Sequence, residues 1–235
     1  MIKLYGFGDA FGVIDASPFV VKVDLFLKLA DIEYEFFANF NNLKQSPKNK
    51  LPYIEDDGNK IADSAFILTY LKDKYNIKLD THLSIEQKSQ SLLYSHALDE
   101  SLYWLLVYSR WVKEDSWPVI NEAFFSELPI PLKWFLPNII RKDVIKTLKR
   151  QGFGRHSETE LLVKADEHFS ALSLLLADQD YFFGEQPSSF DAVAYALLCE
   201  FISVDFFNSF NHQARKYENL VQYCQRIEAK YYMKT

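Results

Sequence analysis

The chain has 235 residues, of which 49% are hydrophobic and 25% charged, which excludes a disordered polymer and allows a sizeable core. A formal net charge of −6 argues against general nucleic-acid binding. Two cysteines, Cys199 and Cys224, with no CxxC spacing, exclude a disulfide framework and fit a reducing compartment. The opening Met1-Ile2-Lys3-Leu4-Tyr5 lacks the charged head and long apolar run of a signal peptide. The longest apolar stretch, near Ala192–Leu198, falls short of the roughly 20 residues a bilayer crossing needs. A cytoplasmic protein without a transmembrane segment is therefore expected.

Ile2–Phe7 is predicted as a strand, Ser17–Ala30 as a helix and Tyr34–Phe37 as a second strand. Leu51–Glu55 and Lys60–Ala62 flank Asp56-Asp57-Gly58, which reads as a hairpin turn. Ser64–Tyr75 follows as a helix with Ile67, Leu68 and Leu71 on one face. The order β-α-β, ββ-α implies a small mixed sheet covered by helices. After a linker near Ile77–Leu83 the strands stop. Ile85–Lys113 reads as one long helix with Leu92, Leu93, Ala97 and Leu105 at apolar positions. Pro118, Pro129, Pro131 and Pro137 are expected to break Ser116–Arg150 into shorter helices. Ser157-Glu158-Thr159-Glu160 is a capping box opening a helix to about Asp178. The variant box Ser188-Ser189-Phe190-Asp191 opens another over Ala192–Ser203, and a last helix is expected over His212–Tyr231. Domains of 1–78 and 84–235 follow.

Three pieces of the first half carry possible chemistry. Pro52 in Lys50-Leu51-Pro52-Tyr53-Ile54 belongs at a strand start or sheet edge, because it cannot donate to a ladder. A trans proline that merely starts the strand is the plainer reading. A cis bond would turn the Leu51 backbone outward, where an extended peptide can pair with it. Asp63-Ser64 caps the following helix, and the same free N–H groups can hold a ligand carboxylate. Ser17-Pro18-Phe19 opens the first helix with Pro at its favoured first position. Its hydroxyl would stand at the positive helix end, where a thiolate is stabilised and made nucleophilic at neutral pH.

These pieces, in this order and followed by an all-α half, resemble the glutathione transferase superfamily. Asn49-Lys50-Leu51-Pro52-Tyr53-Ile54, Gly58, Ile61, Asp63-Ser64-Ala65, Ile67 and Tyr70-Leu71 are similar to its glutathione-site signature. Phe182-Phe183-Gly184-Glu185 with Ser188-Ser189-Phe190-Asp191 resembles its helical-domain folding box. Ser17-Pro18-Phe19-Val20-Val21-Lys22 and Gln151-Gly152-Phe153-Gly154-Arg155-His156-Ser157 are most like the failed-axon-connections and metaxin-like branch.

The resemblance implies an N-terminal thioredoxin-like α+β domain and an all-α C-terminal domain. It implies that glutathione is a substrate, with Leu51 pairing with its cysteinyl backbone beside a cis Pro52. Asp63 and Ser64 would hold the γ-glutamyl end, Lys50 would face the glycyl carboxylate, and Ser17 would stabilise the thiolate. The partner would be a small hydrophobic electrophile, in a pocket assigned to Phe19, Tyr108 and Trp111; for the last two, plain packing is the alternative. A homodimer between the small domain of one chain and the helical domain of the other is also implied. The branch includes non-catalytic adaptors, so a binding protein is the rival reading, with a glutathione-dependent peroxidase or isomerase third. The segment Gly8–Ala16 is longer than the usual first loop, which leaves the placement of Ser17 open. The five His show no metal-ligand spacing, so no metal site is expected. Lys133–Arg150 carries six basic residues among Trp134-Phe135-Leu136 and Ile139-Ile140; a membrane-surface helix or, more simply, a solvated face accounts for it.

Overall fold

The computed structural model describes residues 1–233. The first half is a four-stranded sheet in the order β2-β1-β3-β4. Its strands are β1 (Ile2–Gly6), β2 (Tyr34–Ala38), β3 (Tyr53–Asp56) and β4 (Asn59–Ala62). β1 runs parallel to β2, which requires a crossover, and the helix α1 (Pro18–Leu29) supplies it. β3 is antiparallel to both β1 and β4. Asp57 and Gly58, at φ 48° and 79°, make the tight hairpin turn between β3 and β4, as their sequence demands. β3 begins at Tyr53, after the proline, so Leu51 lies just outside the ladder. A short helix α2 (Asn42–Gln45), which no periodicity announces, links β2 to β3. In α3 (Ser64–Tyr75) the buried Ser64, Ile67, Leu68 and Leu71 follow the spacing of one helical face.

The second half is all helix: α4 (Ile85–Ala97), α5 (Tyr103–Trp111), α6 (Trp117–Phe125), α7 (Leu132–Gln151), α8 (Glu158–Leu176), α9 (Ser189–Ile202), α10 (Ser209–Ala214) and α11 (Glu218–Tyr231). The long helix expected from Ile85 is interrupted by a π-helical turn at Leu98–Leu102. Every residue of α9 is buried. It packs on α1 and so joins the two halves through one core. Asp191 fixes its entry: Oδ2 accepts from the Ser188 N–H and hydroxyl, both at 2.8 Å, and Oδ1 accepts from the Phe182 N–H at 3.0 Å.

Three expectations need correction. Pro137 does not break α7. It stands near the first turns, and the helix runs unbroken to Gln151. The last helix is two helices. Arg215 donates to the Ile202 and Val204 carbonyls at 2.8 and 2.5 Å and ties the intervening turn to the end of α9. Leu92 and Leu93 lie on the surface of α4 instead of in the core.

Candidate functional site

The β3–β4 register brings two of the sequence motifs side by side. Tyr53 pairs with Ala62, so Leu51-Pro52 and Asp63-Ser64 leave the hairpin at the same end. Val20, one turn into α1, shares a buried cluster with Leu51, Tyr53 and Ala62, and this brings the start of α1 to the same place. The Leu51–Pro52 peptide is cis. Among the described residues no other backbone group is bonded to the Leu51 N–H or C=O.

Ser17 is the N-cap residue of α1, and its carbonyl accepts from Val20 and Val21 at 3.0 and 3.1 Å. Its hydroxyl makes no capping bond, so it is free at the positive end of a helix with no acidic residue in its first turn. Asp63 does cap: Oδ1 accepts from the Ala65 N–H at 3.0 Å. It does so with φ at 85°, a conformation rare outside glycine and one that gathers at functional sites. Ser64 is buried beside it, and Lys48 Nζ lies 3.9 Å from the free Asp63 Oδ2. Lys50 is exposed, and its carbonyl accepts from the Ser46 hydroxyl at 2.5 Å.

The long loop before Ser17 is pinned by buried charge. The Asp15 carboxylate accepts from the Phe7, Gly8 and Ser17 N–H groups at 2.7, 2.8 and 2.8 Å. Gly6 is required here, since a Cβ would fall 2.4 Å from Asp15 Oδ2. Burial pushes the Asp15 carboxyl up to about 7, against the pull of its three N–H donors. From the helical half, buried Arg110 on α5 donates to the Ala16 carbonyl at 2.8 Å and pairs with buried Glu200 of α9. Its guanidinium stacks 4.9 Å from the Phe11 ring centroid. The Asp205 N–H donates to the Phe11 carbonyl at 2.8 Å. The length of Gly8–Ala16 is thus accounted for by anchors on both halves.

Aromatic rings line the junction. Phe124 of α6 meets Phe7, Phe11 and Phe40 at centroid distances of 6.1, 6.0 and 5.5 Å, and Trp111 at 5.7 Å. Trp111 therefore belongs to this wall. Phe19 packs on Tyr103 at 4.7 Å. Tyr108 turns away toward Phe210 of α10 at 5.8 Å, inside the helical half. A cleft of about 450 Å³ elsewhere, between α3 and α4, is lined by neither Ser17, Leu51 nor Asp63. Asp15, Lys48, Arg110, Glu200 and Phe124 were not foreseen. A partner across the fold has no local signature, and the abundance of Phe in the chain does not say which rings meet.

A four-stranded thioredoxin-like sheet joined to an all-helical half defines the architecture of glutathione transferases. The comparisons agree. The model of the glutathione S-transferase N-terminal domain matches residues 18–116, and that of the C-terminal domain matches residues 165–227. The isoprene-epoxide glutathione S-transferase of Rhodococcus sp. (strain AD45) is 34% identical over 98% of this chain and 99% of its own. Failed axon connections of Drosophila melanogaster is 29% identical over 98% of this chain and 58% of its own length. Human metaxin-2 is 26% identical over 90% of this chain and 81% of its own. The solved β-etherase LigF of Sphingobium sp. strain SYK-6 superposes with a TM-score of 0.62 at 17% identity, covering 97% of this chain and 95% of that one; this speaks for the fold alone. The chain belongs to the glutathione S-transferase family, and its relatives include the failed-axon-connections and metaxin proteins.

Proposed function

We propose that the protein conjugates the thiolate of glutathione to a small apolar electrophile. The single observation that carries this reading is the convergence of a free Ser17 hydroxyl, the unpaired Leu51 backbone and the Asp63-Ser64 helix start at one end of the β3–β4 hairpin. Leu51 N–H and C=O bind the cysteinyl unit as an added strand. Ser64 with the start of α3 takes the γ-glutamyl carboxylate, and the free Asp63 oxygen takes the ammonium. Lys50, exposed at the rim, faces the glycyl carboxylate, with Lys48 close by. The Ser17 hydroxyl donates to the sulfur at the helix end. Lowering the thiol by roughly 1–2 pKa units is worth about 1.4–2.7 kcal/mol of thiolate stabilisation.

Phe7, Phe11, Phe40, Phe124 and Trp111 make an apolar wall for the electrophile, with Phe19 behind the cap. An epoxide is the preferred class, on the 34% identity to an isoprene-epoxide transferase. In that reaction the C–S bond forms as a ring C–O bond breaks, and the alkoxide takes a proton from water. Exposed Phe66 on α3 and Leu92 and Leu93 on α4 supply one apolar patch from each half, which supports the homodimer.

A second reading, a glutathione-transferase-like binding protein, is favoured by the relatives named Failed axon connections and metaxin-2, names that state no reaction. Calorimetric titration with glutathione and steady-state assay with a small epoxide decide between them. Under the first reading, Ser17→Ala lowers kcat/KM at least about tenfold, about 1.4 kcal/mol, while glutathione still binds. No turnover of epoxide or chloronitroaryl probes, with only millimolar glutathione binding, overturns it.

A further inference from the structure

We propose that the start of α7 is a docking tip for an anionic lipid surface, independent of the chemistry at Ser17. Four successive residues of its first turn, Leu132, Lys133, Trp134 and Phe135, are all exposed. A helix packed along its length buries at least one residue per turn, so this turn projects from the body. Its surface is apolar: Ile130 is 69% exposed, Trp134 67% and Ile139 59%. Single exposed apolar residues are ordinary, but a contiguous group with an indole at its centre is an interaction surface.

The same exposed face changes character toward the C-terminus. Leu132, Phe135 and Ile139 continue at helical steps of three and four into Lys142, Lys146 and Lys149, and all six are exposed. α7 holds six Lys or Arg and one carboxylate, Asp143, in a chain whose formal net charge is −6. Arg141 is committed to Glu114 and to the Trp111 and Val112 carbonyls, whereas Lys142, Lys146, Lys149 and Arg150 make no ion pair among the described residues. Cations therefore stand in a row behind an apolar tip. The tip is convex, and a fluid bilayer conforms to it, whereas a protein partner would need a matching groove. Trp seeks the headgroup boundary, and Lys beside it attracts acidic headgroups. No helix among the described residues is long and apolar enough to cross a membrane, so the attachment is peripheral.

The test is co-sedimentation of the full chain with vesicles of phosphatidylcholine alone and of phosphatidylcholine mixed with phosphatidylserine, at low and high salt. Binding to the mixed vesicles, weakened by salt and at least about tenfold weaker for Lys142→Glu/Lys146→Glu, is expected. Brominated acyl chains should quench tryptophan emission in the wild type. Trp134→Phe should bind the mixed vesicles with most of that quenching lost, because Trp104, Trp111 and Trp117 are only partly exposed and lie outside the tip. Among the described residues the side chains of Trp134, Phe135, Lys142 and Lys146 are exposed, so circular dichroism and glutathione affinity serve as controls that stay unchanged. Absence of binding to mixed vesicles at low salt overturns the proposal. So does binding indifferent to both sets of changes. A shift from dimer to monomer in Trp134→Ser/Phe135→Ser with vesicle binding intact also overturns it, by assigning the tip to a second copy of the chain.

Discussion

The Arg110–Glu200 pair allows stability and positioning to be separated. Both side chains are buried, at 4% and 0% exposure, and Arg110 Nε and Glu200 Oε1 have no further partner among the described residues. Arg110→Met strands Glu200 in the core, and removing one member of a buried pair costs about 3–5 kcal/mol. Arg110→Met/Glu200→Leu replaces the pair with apolar groups of similar volume and should return to within about 1–2 kcal/mol of wild type. Urea denaturation of these two variants, Glu200→Leu and the wild type measures both values and the coupling between the two positions. Because burial pushes the Glu200 carboxyl up and Arg110 opposes this, the deficit of the single variant grows as pH rises above the roughly 4.3 of an unfolded glutamate. Both variants lose the 2.8 Å bond to the Ala16 carbonyl, next to Ser17. Turnover should therefore stay at least about tenfold low in the double variant even though its stability recovers. A single variant less than about 1 kcal/mol destabilised would refute the energetic reasoning. Full turnover in the double variant would refute the positioning role.

Other outcomes follow from the same structure. The Asp15 carboxyl stands at about 7 when folded, against roughly 3.9 unfolded, so the folded chain holds more protons across that window. Its contribution to stability therefore declines as pH rises from about 4 to about 7 and is flat above, and urea midpoints of Asp15→Asn should lack this slope. Asp191→Ala removes the acceptor of the Phe182 N–H and of both Ser188 donors and should lose about 3–5 kcal/mol in thermal or urea unfolding. Phe124→Ala opens the aromatic wall and should raise KM for an apolar electrophile about tenfold, with calorimetric glutathione affinity unchanged.

The elements of the first half, α2 apart, were legible because most carry their own punctuation. Pro18 opens α1, Asp57-Gly58 turns the hairpin, and Asp63 caps α3. The capping boxes at Ser157 and Ser188 located α8 and α9 to within a few residues for the same reason. Pro137 misled because α7 runs through it even though, at the sixth position, it gives up the helix bond to the Lys133 carbonyl. At the candidate site, Ser17, Leu51, Pro52, Asp63 and Ser64 were singled out by the family resemblance, since by spacing alone each reads as an ordinary cap or strand start. Arg110 could not. It sits 94 residues from the carbonyl it holds, on a helix whose sequence reads as ordinary amphipathic packing. Tyr108 and Trp111, three residues apart on α5, start on neighbouring sides of the helix, yet one ring meets Phe210 and the other Phe124, a choice set by the tertiary neighbours and not by the local sequence.

The continuous core through α9 has a mechanical consequence. Ile2 and Leu4 of the sheet, Val21 of α1, the whole apolar length of α9 and Ile227 of α11 belong to one buried cluster, so among the described residues no seam parts the halves. A molecule built this way does not open its junction like a clamshell. For the proposed ligands, access by rotation of rings such as Phe40 and Phe124, a matter of nanoseconds instead of milliseconds, is the expectation. Amide exchange should accordingly find the slowest protons of sheet and helices released together, in one global event.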